Sequence, residues 1–402
     1  MIFRINSGIA RGEIVAPPSK SMAHRLLISA AMSEGKSTVH GISSCEDVLA
    51  TLDCMKALGI EYERVGDDVT VYGKNPKDFT PRAPLYCRES GSTLRFLIPI
   101  AMCSGLTTVF YGEKGLMKRP MSIYERLCQD KGLTYISDGE SIVVKGPLAG
   151  GEYTLMGNVS SQFISGLLFA LPTAENDSII HITPPIESRS YIELTRSALA
   201  TFGIKTEWKD EYTLFIPGGQ SYTPTEVTVE GDYSGAAFPD ALNIFGGEVS
   251  VGGLNKDSLQ GDSVYKKHFD SLKVGVPTIH IGDCPDLGPI LFAVAAAKYG
   301  GIFTGTKRLK IKESDRASAM AEELKKFGAS VTVYEDTVVI YPIDFHAPTE
   351  RLAGHNDHRI VMALSILLTL TGGEIDGAEA INKSYPEFFD HLKALGIGVV
   401  AV

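Results

Sequence analysis

The sequence predicts an α/β fold of two similar lobes, each built from three βαβαββ repeats. The first observation behind this is that a helix ending in glycine, followed by an alternating apolar segment, recurs roughly every 70 residues. The glycines are Gly59, Gly132, Gly203, Gly275, Gly328 and Gly396. Hairpin patterns are the second observation, as where residues 60–63 lead through Gly-Asp-Asp into residues 69–72. The third is that six repeats divide evenly into three and three.

The spacing of the repeats also predicts the lobe boundaries. The fourth interval is short, so we expect the fourth repeat to have lost part of its hairpin. The seam lies near residues 227–232, and a strand at residues 2–5 precedes the first repeat and can pair back into the second lobe. We therefore expect an N-terminal lobe of residues 17–229 and a C-terminal lobe of residues 1–16 with 230–402.

Composition excludes several classes of protein. The 402 residues are 44% hydrophobic, with a formal net charge of −10, which argues against non-specific binding of nucleic acid or an anionic membrane. The apolar stretch at residues 360–370 is too short to span a bilayer, and residues 1–5 alternate like a strand instead of forming a signal peptide. Six cysteines without a CxxC pair indicate buried free thiols. We expect a cytoplasmic protein.

Basic residues stand where helices begin. Pro17 and Pro18 precede Lys20 and Arg25, with Ser19 or Ser21 as the N-cap of a helix. A cation is unfavourable at the positive end of a helix unless an anion binds there. Polar groups stand at the later predicted starts as well: Gly91, Ser92, Arg95, Lys118, Arg119, Ser160, Ser161, Gln162, Ser188, Arg189, Asp232, Asp286, Lys312, Glu313, Arg316, Asn356, Asp357, His358, Arg359 and Lys383.

Each of these residues also has an ordinary structural explanation. A serine or aspartate at a helix start is usually a cap, and Lys312 with Glu313 fits a solvated face. Together, however, they predict one positive cleft between the halves, suited to substrates with several phosphate or carboxylate groups. The sequence has no phosphate-binding loop, dinucleotide fingerprint or metal-ligand spacing. We therefore expect neither a metal nor an organic cofactor.

The motifs at these starts resemble those of the 5-enolpyruvylshikimate-3-phosphate synthase family, in family order over nearly the whole chain. They are Pro18 to Ser21 with His24 and Arg25, Ser90 to Ser92 with Arg95, Lys118 to Pro120, Ser160 to Gln162, Pro285 and Asp286, Lys310 to Arg316, Asn356 to Arg359, and Lys383. The resemblance implies the inside-out α/β barrel of enolpyruvyl transferases, with two lobes of three βαβαββ units. It also implies transfer of enolpyruvyl from phosphoenolpyruvate to shikimate 3-phosphate by a monomer.

The resemblance further implies roles for individual residues. Shikimate 3-phosphate would be held by Ser21, Arg25, Ser160, Ser161, Gln162, Ser188, Asp286 and Lys312. Phosphoenolpyruvate would be held by Lys20, Gly91, Arg119, Arg316, Arg359 and Lys383. Lys20, Asp286 and Glu313 would be catalytic, with Asp286 suited to act as a base and Glu313 as an acid, or the reverse. One departure is Arg308, where many family members carry Asn.

Two other functions remain as alternatives. The sister enzyme that transfers enolpyruvyl to UDP-N-acetylglucosamine carries a reactive cysteine in its second-repeat loop, whereas residues 112–118 of this chain contain none. That enzyme also has Lys-Asn where this chain has Lys20 and Ser21. A non-catalytic anion-binding relative would be expected to lose the acid and base, yet Asp286 and Glu313 are both present.

Overall fold

The computed structural model of the chain describes residues 1–341 and 344–402. The chain forms two compact units. The C-terminal unit comprises Met1–Pro17 with Gly231–Val402, and the N-terminal unit comprises Pro18–Glu230. The chain thus passes between units after Pro17 and after Glu230, one residue later at each point than the boundaries expected from the sequence. Each unit has its own hydrophobic core.

The described residues form the following strands and helices. The strands are β1 (Ile2–Ile5), β2 (Arg11–Val15), β3 (Gly35–His40), β4 (Glu61–Val65), β5 (Asp68–Gly73), β6 (Leu85–Tyr86), β7 (Thr108–Tyr111), β8 (Thr134–Ser137), β9 (Ser141–Lys145), β10 (Gly151–Met156), β11 (Ser178–Thr183), β12 (Glu207–Trp208), β13 (Thr213–Ile216), β14 (Glu226–Thr228), β15 (Glu248–Gly252), β16 (Thr278–His280), β17 (Gly301–Thr304), β18 (Ser330–Val333), β19 (Thr337–Tyr341), β20 (Leu352–Ala353), β21 (Gly373–Asp376) and β22 (Val399–Ala401). The helices are α1 (Lys20–Ala31), α2 (Glu46–Ala57), α3 (Gly91–Met102), α4 (Lys114–Met117), α5 (Ser122–Lys131), α6 (Ser161–Ala170), α7 (Arg189–Thr201), α8 (Tyr233–Ala241), α9 (Tyr265–Val274), α10 (Gly288–Ala297), α11 (Arg316–Lys326), α12 (His358–Thr371) and α13 (Phe388–Ala394).

Five four-stranded sheets share one topology. In β6-β7-β9-β8, β10-β11-β13-β12 and β16-β17-β19-β18, the first two strands are parallel and the hairpin that follows is antiparallel. In β14-β3-β5-β4, the first strand comes from the far end of the N-terminal unit. In β20-β21-β1-β22, the N-terminal strand β1 takes the hairpin position. The fourth repeat keeps only the parallel pair β2 and β15.

The helices are of two kinds, which differ in how much of their surface is buried. In each repeat the first helix is buried on nearly all sides, as in α10, whose residues 288–296 are all buried. The second helix buries one face, as in α11. An apolar surface all round requires cover on every side. The first helices of neighbouring repeats provide much of it by packing against one another, as α3 does against α6 and α10 against α12. The predicted α/β fold of βαβαββ repeats is confirmed. Among the described residues, no helix has the length and apolar composition needed to cross a bilayer.

Candidate active site

An ion pair joins the first turns of α1 and α2 in the N-terminal unit. Ser19 caps α1 by accepting a hydrogen bond from Met22 N at 3.4 Å, so the helix begins at Lys20. The Lys20 ammonium lies 2.7 Å from Asp47 Oδ2, and both side chains are mostly buried. Asp47 stands in the first turn of α2, where the helix dipole favours a carboxylate. The chain itself therefore supplies an anionic partner for Lys20.

Arg25 is buried one turn further along α1, with only 2% of the residue exposed. Its Nε donates to Thr195 Oγ1 at 2.8 Å, Nη1 to Ser21 O at 2.6 Å and Nη2 to Tyr191 O at 3.0 Å. Burial lowers the pKa of Arg25 to about 10, so the side chain stays cationic at neutral pH. These partners are neutral oxygens, so they orient the guanidinium without cancelling its charge.

Gln162 connects the starts of α3 and α6. Its Oε1 accepts a hydrogen bond from Arg95 Nη1 at 2.7 Å, and its Nε2 donates to Ser92 Oγ at 2.9 Å. Gly91 is the first residue of α3, and a Cβ there would lie 3.0 Å from Arg119 Nη1 and 3.4 Å from Arg95 Nη1. Glycine at this position therefore lets two guanidinium groups approach the helix start.

Three predicted serines stand at two further helix starts. Ser160 caps α6, its Oγ accepting a hydrogen bond from Gln162 N at 3.3 Å, and Ser161 is the buried first residue of that helix. Ser188 precedes α7 with a left-handed φ of 57° and makes no cap hydrogen bond. Ser160 thus fills the ordinary capping role, whereas Ser188 has a backbone conformation that few non-glycine residues adopt.

The charges of this region favour the binding of an anion. We call the region the N-terminal cluster, and it comprises Lys20, Arg25, Asp47, Gly91, Arg95, Arg119 and Gln162. Among the described residues, neither Arg25 nor Arg119 forms an ion pair, and the buried Nε of Arg119 has no hydrogen-bond partner. Burying a charge is costly unless a partner compensates it. A phosphate or carboxylate would provide that partner, because it can accept two parallel bonds from one guanidinium.

Arg316 is the centre of a second cluster, in the C-terminal unit. Its Nη1 donates to Asp286 Oδ1 at 2.8 Å, Nη2 to Glu313 Oε2 at 2.6 Å and Nε to Asp357 Oδ2 at 2.8 Å. Burial disfavours the charged form, but the three carboxylates outweigh that effect and raise the pKa of Arg316 well above its usual range. One guanidinium, 1% exposed, thus fixes three acids from three segments of the chain. We call these four residues the Arg316 cluster.

Two further cations approach Asp286. The Lys312 Nζ lies 3.1 Å from Asp286 Oδ1, and the Arg359 Nη2 lies 3.7 Å from Oδ2. Burial lowers the pKa of Lys312, and the negative charge of Asp286 opposes that shift. The Nε of Arg359 is buried and makes no hydrogen bond among the described residues. Three cationic groups, from Arg316, Lys312 and Arg359, thus lie around the Asp286 carboxylate.

The segment 354–357 connects this cluster to Lys383. Asp357 caps α12 by accepting a hydrogen bond from Arg359 N at 2.9 Å, and the backbone oxygen of Asn356 accepts one from Lys383 Nζ at 2.6 Å. His355 and Asn356 have φ values of 50° and 51°, so two consecutive non-glycine residues are left-handed. Such strain persists only where the surroundings impose it, and it fixes the direction from which Asp357 enters the site.

Arg308, the departure from the family pattern, is also buried. Its Nη1 lies 3.3 Å from Gly282 O, within hydrogen-bond range. Its charge adds to the effect of burial in lowering the pKa of Lys312. This chain therefore places a second cation close to Lys312, where the resemblance implies a neutral amide.

Glu323 supports the segment 354–357 from α11. Its fully buried carboxylate accepts hydrogen bonds from Ala353 N at 2.9 Å and from His355 Nε2 at 3.0 Å, and the Lys326 ammonium lies 3.0 Å away. Glu322, Glu323 and His355 form the one cluster found among the described residues that could hold a metal ion. The Lys326 ammonium already lies beside the Glu323 oxygens, so this cluster is better explained as an ion pair that holds the segment.

We expect His355→Gln to lower the free energy of unfolding more at about pH 6 than at about pH 9. The hydrogen bond that His355 donates to Glu323 raises the pKa of His355 above its usual value of 6.5. The charges of Glu323 and Glu322 add to this effect, and burial and the charge of Lys326 oppose it. Stabilisation by the charged pair is therefore complete below about pH 6.5 and is lost as the pH rises through the folded-state pKa. The pKa of Glu323 is lowered, so its charge persists across this window.

Urea unfolding of wild type and His355→Gln at both pH values measures this effect. The matched control is His181→Gln, the same change at an exposed histidine of β11. A loss of stability that is equal at the two pH values would show that the His355 charge contributes nothing.

One acid of these clusters was not among the predicted site residues. Asp47 stands in the first turn of α2, where a carboxylate is the ordinary dipole partner. Its cationic partner, Lys20, is distant in the chain. A surplus of buried cations at neighbouring helix starts is the only hint in the sequence that an acid is required there.

Comparisons with known proteins agree on one family. A family model described as EPSP synthase (3-phosphoshikimate 1-carboxyvinyltransferase) matches residues 6–392. Relatives named 3-phosphoshikimate 1-carboxyvinyltransferase from Clostridium acetobutylicum and Clostridium botulinum are 41% and 37% identical to this chain. Each match covers 98% of this chain and 97% of the relative.

A solved structure supports the same assignment at the level of the fold. The EPSP synthase of Acinetobacter baumannii matches with a TM-score of 0.81 over 100% of both chains, at 24% sequence identity. The predicted two-lobe enolpyruvyl transferase fold is confirmed. From its sequence and its fold, the chain belongs to the EPSP synthase (3-phosphoshikimate 1-carboxyvinyltransferase) family.

Proposed function

We propose that this chain transfers the enolpyruvyl group of phosphoenolpyruvate to the 5-hydroxyl of shikimate 3-phosphate and releases phosphate, in the shikimate pathway to chorismate and aromatic amino acids. The observation that carries the proposal is the Arg316 cluster, which holds Asp286 and Glu313 at 2.8 and 2.6 Å from one guanidinium. Addition to an enol ether followed by elimination needs a base and an acid beside bound anions. The family relationship supports the same reaction.

The two carboxylates suit the two proton transfers of each step. In the addition, the 5-oxygen bonds to C2 of phosphoenolpyruvate, its proton passes to a base, and C3 receives a proton from an acid. In the elimination, C3 returns its proton to the conjugate base of that acid, the bond from C2 to the phosphate oxygen breaks, and the departing phosphate takes up the proton that the base had received. We assign the hydroxyl proton to Asp286 and the C3 proton to Glu313, with Lys20 as the cation close to both substrates.

Binding is assigned by the charge and hydrogen-bonding capacity of each group. We propose that shikimate 3-phosphate is held by Ser21, Arg25, Ser160, Ser161, Gln162, Ser188, Asp286 and Lys312. Phosphoenolpyruvate is held by Lys20, Gly91, Arg119, Arg316, Arg359 and Lys383. Arg316 makes four hydrogen bonds to carboxylates, so its larger role is to position the acids. No cofactor takes part, and the protein works as a monomer in the cytoplasm.

Gly91→Ala is expected to raise the KM for phosphoenolpyruvate about tenfold, with little change in the unfolding midpoint. The added Cβ would lie 3.0 Å from Arg119 Nη1, so the guanidinium must move away from the position it takes beside the anion. Steady-state kinetics with phosphoenolpyruvate as the varied substrate measures the effect. Gly275→Ala is the matched control, because a Cβ there meets nothing within 4 Å. An unchanged KM in Gly91→Ala would remove Gly91 from the site.

The proposed function is tested by phosphate release from purified protein given phosphoenolpyruvate and one of two acceptors. We expect release with shikimate 3-phosphate and none with UDP-N-acetylglucosamine. Release only with the sugar nucleotide would keep the reaction class and replace the acceptor. Folded protein that releases phosphate with neither would favour the non-catalytic anion-binding relative.

A further inference from the structure

A chain of three short hydrogen bonds crosses the interior of the N-terminal unit below the N-terminal cluster. His24 Nδ1 lies 2.7 Å from Thr51 Oγ1, which lies 2.7 Å from Thr93 Oγ1, which in turn lies 2.7 Å from Ser90 Oγ. All four residues are 0% exposed. They come from α1, α2, α3 and the N-cap of α3, so this hydrogen-bond chain joins three helices. The reaction described above uses none of them.

The bonds of this chain have one favoured direction. Thr93 has two acceptors for its single hydroxyl proton, Ser90 Oγ at 2.7 Å and Asp47 O at 3.4 Å. It therefore accepts from Thr51, and Thr51 accepts from a proton on His24 Nδ1. In the reverse direction the proton of His24 would sit on Nε2. That atom is buried and has no hydrogen-bond partner among the described residues, so a proton there would be an unsatisfied donor. His24 is therefore neutral, with its proton on Nδ1.

Charges in the surroundings reinforce the neutral state. Burial is the largest effect that lowers the pKa of His24, and the nearby Lys20 and Arg25 lower it further. Across the pH range of ordinary assays, then, His24 stays a fixed neutral donor. It behaves as a structural group and not as a titrating one.

The hydrogen-bond chain lies next to the residues of the N-terminal cluster. Lys20 and His24 are four residues apart on α1, and Asp47 and Thr51 are four residues apart on α2, so each pair shares one helix face. On α3, Ser90 directly precedes Gly91 and caps the helix through Thr93 N at 3.2 Å. The hydrogen-bond chain therefore lies about one helical turn further into the unit than Lys20, Asp47 and Gly91.

We propose that His24, Thr51 and Thr93 are positioning residues that set the spacing of the three helix starts carrying Lys20, Asp47 and Gly91. The inference rests on the proposed function, because it predicts which substrate loses affinity when the spacing changes. Lys20 and Gly91 are assigned to phosphoenolpyruvate. Loosening the chain should therefore weaken that substrate more than shikimate 3-phosphate.

The decisive comparison uses valine and serine at Thr93. Thr93→Val keeps the shape and removes the hydroxyl, leaving Thr51 and Ser90 without their buried partner, and it should raise the KM for phosphoenolpyruvate about tenfold. The KM for shikimate 3-phosphate should change less than about threefold, and Thr93→Ser should restore the wild-type value. Thr108→Val is the matched control, because its buried hydroxyl has no partner among the described residues.

A second measurement does not depend on turnover. Nitrogen NMR of protein labelled at histidine should show His24 with its proton on Nδ1 and no titration between about pH 5 and pH 8. His24→Asn, which keeps an N–H donor near Nδ1, should retain the KM values better than His24→Ala. A proton on Nε2 in wild type would overturn the direction of the chain.

The outcomes separate this inference from the proposed function. Wild-type turnover with equal KM values in Thr93→Val and Thr108→Val overturns the positioning role alone. A wild-type protein that is folded but releases no phosphate overturns the proposed function, and the positioning role with it. If the valine variants fail to fold, the KM for phosphoenolpyruvate in His24→Asn and His24→Ala decides. A rise in His24→Ala alone supports the positioning role, because only asparagine keeps an N–H donor near Nδ1, and equal values in the two variants overturn it.

Discussion

Asp286→Asn should lower kcat by about 10²- to 10⁴-fold while leaving the protein folded. The amide has nearly the shape of the carboxylate and still offers one acceptor oxygen to Arg316 and Lys312. It cannot take a proton from the 5-hydroxyl, and it carries no charge to hold Lys312 in place. Because the loss falls on proton transfer, the KM for phosphoenolpyruvate should change much less than kcat. Steady-state phosphate release measures both.

The control for this variant is Asp270→Asn, which changes an exposed carboxylate of α9 paired with Lys273 at the surface. It should keep wild-type kcat. Glu313→Gln should resemble Asp286→Asn in kcat, since each step needs both a base and an acid. A kcat within about threefold of wild type in Asp286→Asn would exclude Asp286 as the base and leave the hydroxyl proton to another group.

Most of the fold follows from local signals. The glycines that end helices, such as Gly59 and Gly132, require a left-handed φ that is set within one turn of chain, so they mark repeats without any knowledge of tertiary structure. Helix starts are equally local, as Ser160 at α6 shows. The prediction that all motifs stand at helix starts is wrong for Lys118, which is the C-cap of α4, and for Lys383, which ends a 3-10 helix before α13 begins.

What the sequence did not predict depends on contacts between distant segments. Thr51 and Thr93 look like ordinary helix residues, and their hydroxyls acquire a role only because α2 and α3 pack together. Asp47 looks like an ordinary helix-start acid until Lys20 is brought beside it. The place of β1 in the hairpin position of the sixth repeat likewise depends on which strand edge remains open when the unit folds.

Arg316→Met should destabilise the C-terminal unit by about 3–5 kcal/mol and abolish measurable turnover. The substitution keeps much of the side-chain volume but removes the charge that compensates Asp286, Glu313 and Asp357. Of these, Asp357 is completely buried, so its carboxylate would be left without the cation that offsets its desolvation. Urea unfolding, followed by a probe within the C-terminal unit, measures the loss. Arg4→Met is the control, since the exposed pair of Arg4 with Glu374 should contribute about 0–1 kcal/mol.

A double variant distinguishes the loss of the attraction to Arg316 from the cost of leaving a buried carboxylate without a cation. If the cost of Arg316→Met arises mainly from the unpaired carboxylate, adding Asp357→Asn should recover part of the stability, with a coupling of about 0.5–3 kcal/mol. Turnover should not return, because Glu313 and Asp286 would still lack the guanidinium that fixes their separation. Additive losses in the double variant would mean that Arg316 and Asp357 act independently. The Arg316 cluster would then be a coincidence of packing and not the device that positions the acid and the base.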